Sequence, residues 1–252
     1  DNVHQQTPCA SGSIFGKVNN IRALTFDLDD TLWDNREVIM TAEKTLHDWL
    51  VDHYPRLTER YSLEDMCRMR IDLLRRQPYL RNAITELRIQ SLKQVARSVG
   101  YSDDLAEDAF AVFMEARHRV TLYDDVTPAL QSLRRAGYQL GSLTNGNADV
   151  HRLGIADLFD FSLTAESVGR AKPHPRLFEE ACRQSGVLPT ELAHVGDEAG
   201  TDLAGGLAAG VNVIWMNRLV QPATAGITPH AEIRDMAGLL AMLGLDIPQE
   251  MA

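Results

Sequence analysis

The sequence predicts an α/β protein: a parallel β-sheet core with an all-helical block inserted after its first strand. Three observations lead there. From about residue 124 onward, short β-branched apolar runs alternate with helical stretches, and repeated strand–helix units build a parallel sheet with helices on both faces. One isolated strand-like run, Ile21–Leu28 (IRALTFDL), stands far upstream of that alternation. Between the two, apolar residues recur at helical spacing and no run reads as a strand.

Residues 1–20, DNVHQQTPCASGSIFGKVNN, have neither a basic start nor an apolar segment, so they do not read as a signal peptide. They are expected to be a poorly ordered leader, and the missing initiator Met suggests a trimmed start. The run Ile21–Leu28 is bounded and apolar, as a buried strand should be, and it ends in a cluster of acids. In the helical block, Val38, Ala42, Leu46, Trp49 and Leu50 share one periodicity, and Ile84, Leu87, Leu92, Val95 and Val99 another. Breaks at Tyr54–Pro55, Gln77–Pro78 and Gly100–Ser102 divide the block into about four helices. Strands are then expected at Gln139–Thr144, Phe161–Thr164, Leu192–Val195, Val211–Met216 and near His230–Ile233. Helices fall between them at roughly 126–136, 175–186 and 200–209, and Gln221–Thr228 is a loop. The core is thus assigned to residues 21–35 and 120–252, and the insert to 36–119.

Of the 252 residues, 44% are hydrophobic and 24% charged, an ordinary balance for a globular protein. A net charge of −10 argues against a nucleic-acid surface or a basic membrane patch. It does not exclude a small anion held by a local positive cluster. No apolar run approaches the roughly 20 residues that a spanning helix needs. Cys9, Cys67 and Cys182 are odd in number, far apart and without a CxxC spacing, which argues against zinc and disulfides and fits a reducing cytoplasm.

In open α/β sheets, ligands bind beyond the carboxyl ends of the strands. Four suggestive segments lie there. Asp27-Leu28-Asp29-Asp30-Thr31 follows the first strand, and alternation points Asp27 and Asp29 the same way. Two such carboxylates suit metal binding or a nucleophile with an acid beside it; taken alone, they also fit turn or capping acids. Thr144-Asn145-Gly146 ends the next strand, where a hydroxyl and free backbone amides at a helix start would suit phosphate oxygens. Lys172 sits in Arg170-Ala171-Lys172-Pro173-His174-Pro175, whose prolines would hold its ammonium in place. Gly196-Asp197-Glu198, with Asp202 on the following helical turn, offers two acids to one hard cation. The alternation that aims Asp197 at the site aims Glu198 away.

The order acid pair, Thr, Lys, acid pair resembles the four motifs of the haloacid dehalogenase superfamily, and the resemblance runs from about Ile21 to Ile233. It implies a Rossmann-like parallel sheet core with an inserted all-helical cap domain of the C1 type. It further implies Asp27 as nucleophile, Asp29 as general acid/base, and Thr144, Asn145 and Lys172 as phosphate-binding. Mg²⁺ would be the cofactor, held by Asp27, the Asp29 backbone carbonyl, Asp197 and, directly or through water, Asp202. The reaction so implied is hydrolysis of a small phosphorylated metabolite. Haloacid dehalogenases lack the second acid that Asp29 supplies. Phosphonate hydrolases of the superfamily depend on a cap lysine, of which Lys93 is the one candidate after the first insert helix. A sugar phosphomutase or sugar-phosphate phosphatase uses the same acid pair. The run from Leu24 to Arg36 (LTFDLDDTLWDNR), with Thr144–Ala148 and His194–Glu198, looks similar to bacterial phosphatases for 5-amino-6-(5-phospho-D-ribitylamino)uracil of flavin synthesis. Arg81, Thr85 and Arg88, at spacings of 4 and 3, are candidate substrate contacts on one insert-helix face.

Overall fold

A computed structural model describes residues 20–251. The expected leader lies almost wholly outside the described residues, as does Cys9. The chain enters β1 (Ala23–Phe26) and then runs through α1 (Asn35–His53), α2 (Pro55–Arg60), α3 (Leu63–Arg76), a 3₁₀ turn at Pro78–Asn82, α4 (Ile84–Ser98) and α5 (Leu105–Arg117). It continues with α6 (Val126–Arg135), β2 (Gln139–Thr144), β3 (Phe161–Thr164), α7 (Ala165–Val168), α8 (Arg176–Ser185), β4 (Leu192–Gly196), α9 (Ala204–Ala209), β5 (Asn212–Met216), β6 (Ala231–Ile233) and α10 (Met236–Met242).

The six strands form one parallel sheet in the order β3-β2-β1-β4-β5-β6. All four β1 residues are buried, which is why the strand carries no charged side chain and shows no inside–outside alternation. On one face lie Val126, Leu130 and Leu133 of α6 with Leu239 and Leu240 of α10. On the other lie Leu177, Phe178 and Ala181 of α8. Phe26 is in register with Ser142 of β2 and Val195 of β4, and the Asp27 N–H extends the ladder to the Val195 carbonyl at 2.9 Å. The chain leaves β1 with β2 on one side and β4 on the other, and this reversal of strand order opens a crevice at the strand ends.

The helices between Asn35 and Arg117 bury a cluster of their own, including Leu46, Leu50, Leu57, Leu92, Val95 and Phe113. Asp34 caps α1, accepting from the Arg36 and Glu37 amides. There are five α-helices here where the sequence breaks give about four. The additional break is at Tyr61–Ser62, where the Ser62 hydroxyl accepts from the Asp65 amide and the Asp65 carboxylate accepts from the Ser62 amide; this reciprocal capping starts a new helix without any Pro or Gly. The short α7 and the C-terminal α10 also escape the sequence reading. The expected helix at 200–209 begins instead as a π-helical turn, Ala199–Leu203. Among the described residues, no helix is long and apolar enough to cross a membrane.

Candidate active site

The carboxylate of Asp27 projects from the end of β1 into a cleft of about 210 Å³ that is also lined by Asp29, Thr144, Lys172, Asp197 and Asp202. Its partner is Lys172, whose ammonium donates to Asp27 Oδ1 at 2.5 Å, to Asp202 Oδ1 at 2.6 Å and to the Leu143 carbonyl at 2.8 Å. All three N–H donors of a lysine are thereby used. Asn145 fixes the loop that carries it: its Oδ1 accepts from the Lys172 amide at 2.7 Å, and its Nδ2 donates to the Lys172 carbonyl at 3.0 Å. The side chain of Asn145 therefore positions Lys172.

Asp202 reaches the cleft because β4 ends in glycine. A Cβ at Gly196 would lie 2.4 Å from the Asp202 carboxyl carbon. The other partners of Asp202 are the Glu198 amide, which donates to Oδ2 at 3.1 Å, and the fully buried His194 ring, 3.0 Å from Oδ1. The second nitrogen of His194 is 3.0 Å from the Thr25 hydroxyl. Burial holds His194 below its usual pKa; a neutral ring then donates Nε2–H to Asp202 and accepts from Thr25. Asp197 Oδ1 accepts from the Thr31 hydroxyl at 3.3 Å, and Trp215 Nε1 donates to the Asp197 carbonyl at 2.8 Å. Glu198 turns to the Thr201 hydroxyl instead, at 2.9 Å.

Charge in this crevice is unbalanced. Burial pushes the Asp27 carboxyl well above its ordinary range; Lys172 opposes this, while Asp202, Asp197 and Asp29 add to it. Burial and the charges of Asp202 and Asp30 raise Asp197 to about 7. Burial alone would raise Asp202 too, but Lys172 and His194 hold it below the usual carboxylate range. Lys172, despite a burial that disfavours its charge, is held above its ordinary value by Asp202 and Asp27. Asp27, Asp197 and Asp202 each offer a carboxylate oxygen within 4.8 Å of the others. An all-oxygen, acidic donor set of this kind fits a hard divalent cation such as Mg²⁺.

Asp29 also faces the crevice. Its Oδ1 accepts from Trp33 Nε1 at 3.1 Å, and one terminal nitrogen of Arg117 donates to both carboxylate oxygens, at 2.6 and 2.8 Å. Thr144, almost fully buried, accepts from the Gly146 amide at 2.9 Å. This departs from the sequence reading in two ways: the Gly146 amide is not free, and no helix starts after β2, since the chain runs through turns to a 3₁₀ turn at Ala156–Leu158.

The three candidate contacts in the insert do not share a face. Arg81 is exposed on the 3₁₀ turn, outside α4. Thr85 lies against the core, its amide donating to Glu166 at 2.6 Å and its hydroxyl accepting from Asn147 at 3.4 Å, beside a cleft of about 420 Å³ between insert and core. Arg88 must be corrected. It is buried inside the insert, 2.9 Å from Glu43, with its guanidinium 3.4 Å above the Phe113 ring. Helical spacing places Arg88 near Thr85 but says nothing of an acid waiting on α1. Arg117, Trp33 and His194 were not singled out as site residues. Arg117 reads from sequence as a basic residue in a last helical turn, an ordinary complement to the helix dipole.

A family model for haloacid dehalogenase-like hydrolases matches residues 21–210. The chain belongs to this family. Among haloacid dehalogenase-like hydrolases it is 31% identical to the 5-amino-6-(5-phospho-D-ribitylamino)uracil phosphatase YigB of Escherichia coli, over 90% of this chain and 98% of that one. It is 28% identical to the N-acylneuraminate-9-phosphatase of Rattus norvegicus, over 90% and 95% of the two chains. Among solved structures, one titled 2-haloacid dehalogenase from Pseudomonas syringae is 40% identical, with a TM-score of 0.83 over 89% of this chain and 98% of that one. Relatives named as phosphatases thus span most of this chain, which is a hydrolase of the haloacid dehalogenase-like family.

Proposed function

We propose that the enzyme hydrolyses the phosphate monoester of a small metabolite by transferring the phosphoryl group to Asp27. The observation that carries this reading is the single ammonium, Lys172, clamped between Asp27 and Asp202 in a crevice that holds Asp29 and Asp197 as well. An Asp27 oxygen attacks phosphorus, the ester P–O bond breaks, and protonated Asp29 gives its proton to the departing alkoxide. Asp29 then takes a proton from water as that water attacks phosphorus, which releases phosphate and restores the Asp27 carboxylate. Lys172 keeps Asp27 aimed and offsets its charge; Thr144 and the backbone of Asn145 edge the space for the phosphoryl oxygens. Asp27, Asp197 and Asp202, with the Asp29 carbonyl, would hold Mg²⁺. When bound, the cation would supply two positive charges against the acids and the phosphate, each pair worth about 4 kcal/mol at 4 Å and an effective dielectric near 20.

The helical insert acts as the cap that closes over the leaving group and keeps bulk water out. A cleft of about 210 Å³ accommodates little beyond the reacting group, so the rest of the substrate must extend toward the insert. The similarity to YigB favours the ribitylamino-uracil phosphate of flavin synthesis as substrate, in the cytoplasm, where the free Cys67 and Cys182 are at home. A sugar phosphomutase or another sugar-phosphate phosphatase would draw on the same acids.

The Pseudomonas syringae structure raises a second reading, displacement of halide from a 2-haloacid. The acid cluster argues against it, because three further carboxylates beside Asp27 repel a carboxylate substrate that brings no cation of its own. The test is a panel of phosphorylated metabolites and 2-chloropropionate, each with Mg²⁺ and with EDTA. Phosphate release that needs the metal supports the proposal, whereas metal-free chloride release supports the second reading.

A further inference from the structure

Asp27 and Asp29 are two residues apart but are held by different parts of the molecule. The partners of Asp27 all come from the sheet core: the Lys172 ammonium and the Val195 carbonyl. The partners of the Asp29 carboxylate stand where the chain crosses between core and insert. Trp33, fully buried, lies just before α1, and Arg117, 2% exposed, is the last residue of α5. One Arg117 nitrogen spans both carboxylate oxygens, and Trp33 Nε1 fixes Oδ1 from the other crossing. The fold makes room for this arrangement: a Cβ at Gly146 would come within 2.9 Å of Asp29 Oδ2, and the Arg117 nitrogen lies 3.7 Å from the same point. The other terminal nitrogen of Arg117 is buried and, among the described residues, has no hydrogen-bond partner. An arginine serving only to neutralise a buried acid gains most by a two-nitrogen, side-on pair. Arg117 forgoes that pair and pins the carboxylate through one nitrogen.

We propose that Arg117 is a positioning residue for proton transfer at Asp29, so that the acid/base steps depend on the seating of the helical insert while attack by Asp27 does not. This rests on the phosphatase reading above. In the first step the proton passes from Asp29 to the ester oxygen as its bond to phosphorus breaks. An ester whose leaving group is a stable anion has little need of that proton; an alkyl ester needs it fully.

The experiment compares kcat/KM, which reports events up to formation of the aspartyl-phosphate, for p-nitrophenyl phosphate and benzyl phosphate. These are similar in size and differ in leaving-group basicity. For Arg117→Met, the loss on benzyl phosphate is expected to be about 10²-fold or more, the range for a misplaced general acid, with roughly tenfold or less on p-nitrophenyl phosphate. Arg117→Lys should recover part of the difference. Trp33→Phe, which keeps an aromatic side chain but removes the N–H donor, should show a smaller bias of the same sign. Because the ratio is taken within one sample, partial unfolding lowers both rates and leaves it unchanged. If Arg117→Met is recovered unfolded, Arg117→Lys and Trp33→Phe carry the test. Asp29→Asn separates the two levels of the argument. A leaving-group bias in Asp29→Asn, with equal losses on both esters in the Arg117 and Trp33 variants, overturns the positioning role and leaves the phosphatase mechanism standing. No bias in Asp29→Asn overturns the acid role itself, and the inference with it.

Discussion

Lys172 and Asp27 are 145 positions apart in the chain and 2.5 Å apart in the fold. The pair exists because β1, β2 and β4 end at one level, and because Asn145, just past β2, clasps the backbone of Lys172. Lys172→Met would leave Asp27 and Asp202 as buried acids without their shared cation, a change that costs about 3–5 kcal/mol when one partner of a buried pair is removed. We expect a lower melting temperature together with a loss of at least about 10²-fold in kcat on every phosphate ester, large and small alike. Thermal melts and kinetics on p-nitrophenyl phosphate and two metabolite phosphates check this. A loss confined to one substrate would place Lys172 on the leaving group instead.

Removing Mg²⁺ with EDTA should stop turnover, and adding it back should restore it. The cation should also raise the melting temperature of the wild type by binding only the folded form, and Asp197→Asn should reduce that shift. Because Asp197 is held at about 7, protons compete with the cation below that pH, so Mg²⁺ affinity should weaken as the pH falls from about 8 to 6. Calorimetric titration across this range reads the slope; a flat affinity would remove Asp197 from the cation site.

Arg88 should behave as a structural residue. Its guanidinium serves Glu43, which Arg70 also approaches at 2.5 Å. Arg88→Ala is expected to destabilise the protein by about 1.5–3 kcal/mol, the range for lost hydrogen bonds to a charged group. The ranking of substrates by kcat/KM should stay as it is. A reordered ranking in a variant of unchanged stability would return Arg88 to the substrate.

His118, next to Arg117, ties insert to core. Its Nδ1 lies 2.7 Å from the Met114 carbonyl, and its Nε2 accepts from the Asp149 amide at 3.0 Å. An accepting Nε2 carries no proton, so the folded ring is neutral. Burial, then Arg152 and Arg117, lower its pKa from 6.5, against the opposing effects of the Met114 carbonyl and Asp149. The unfolded chain therefore takes up this proton first as pH drops. The contribution of His118 is intact above about pH 6.5 and declines below it until the folded-state pKa is reached. Melting curves from about pH 7.5 to 5.5 should show a smaller acid-side loss for His118→Asn than for wild type. Parallel curves would mean that the ring keeps one protonation state on unfolding.

How much of this was legible in the sequence follows from what one chain segment can report about itself. The strands Gln139–Thr144 and Phe161–Thr164 stand where the sequence puts them: β2 is buried from Leu140 to Thr144, and β3, at the sheet edge, buries Leu163 while exposing Ser162. Asp27, Lys172, Asp197 and Asp202 could be gathered beforehand, since Asp27 and Asp197 directly follow strands, Asp202 stands in the turn after β4, Lys172 stands in the loop after β3 and α7, and parallel strands share one ligand edge. The partners that arrive across the fold were hidden. Nothing local marks Arg117 as the partner of Asp29, 88 positions away, or Glu43 as the partner of Arg88, 45 positions away. The fate of the Gly146 amide was equally out of reach, because it depends on a Thr144 rotamer that only the finished turn selects.

The most direct test of the central claim, covalent transfer to Asp27, is to quench the working enzyme in acid, digest it and map the phosphoryl group by mass spectrometry. The account predicts a phosphorylated peptide whose label sits on Asp27 and is released by hydroxylamine. It also predicts that Asp27→Asn, with a wild-type circular dichroism spectrum, gives neither the labelled peptide nor turnover. An Asp27→Asn variant that keeps more than a few per cent of wild-type activity, or a label on any other residue, would contradict it.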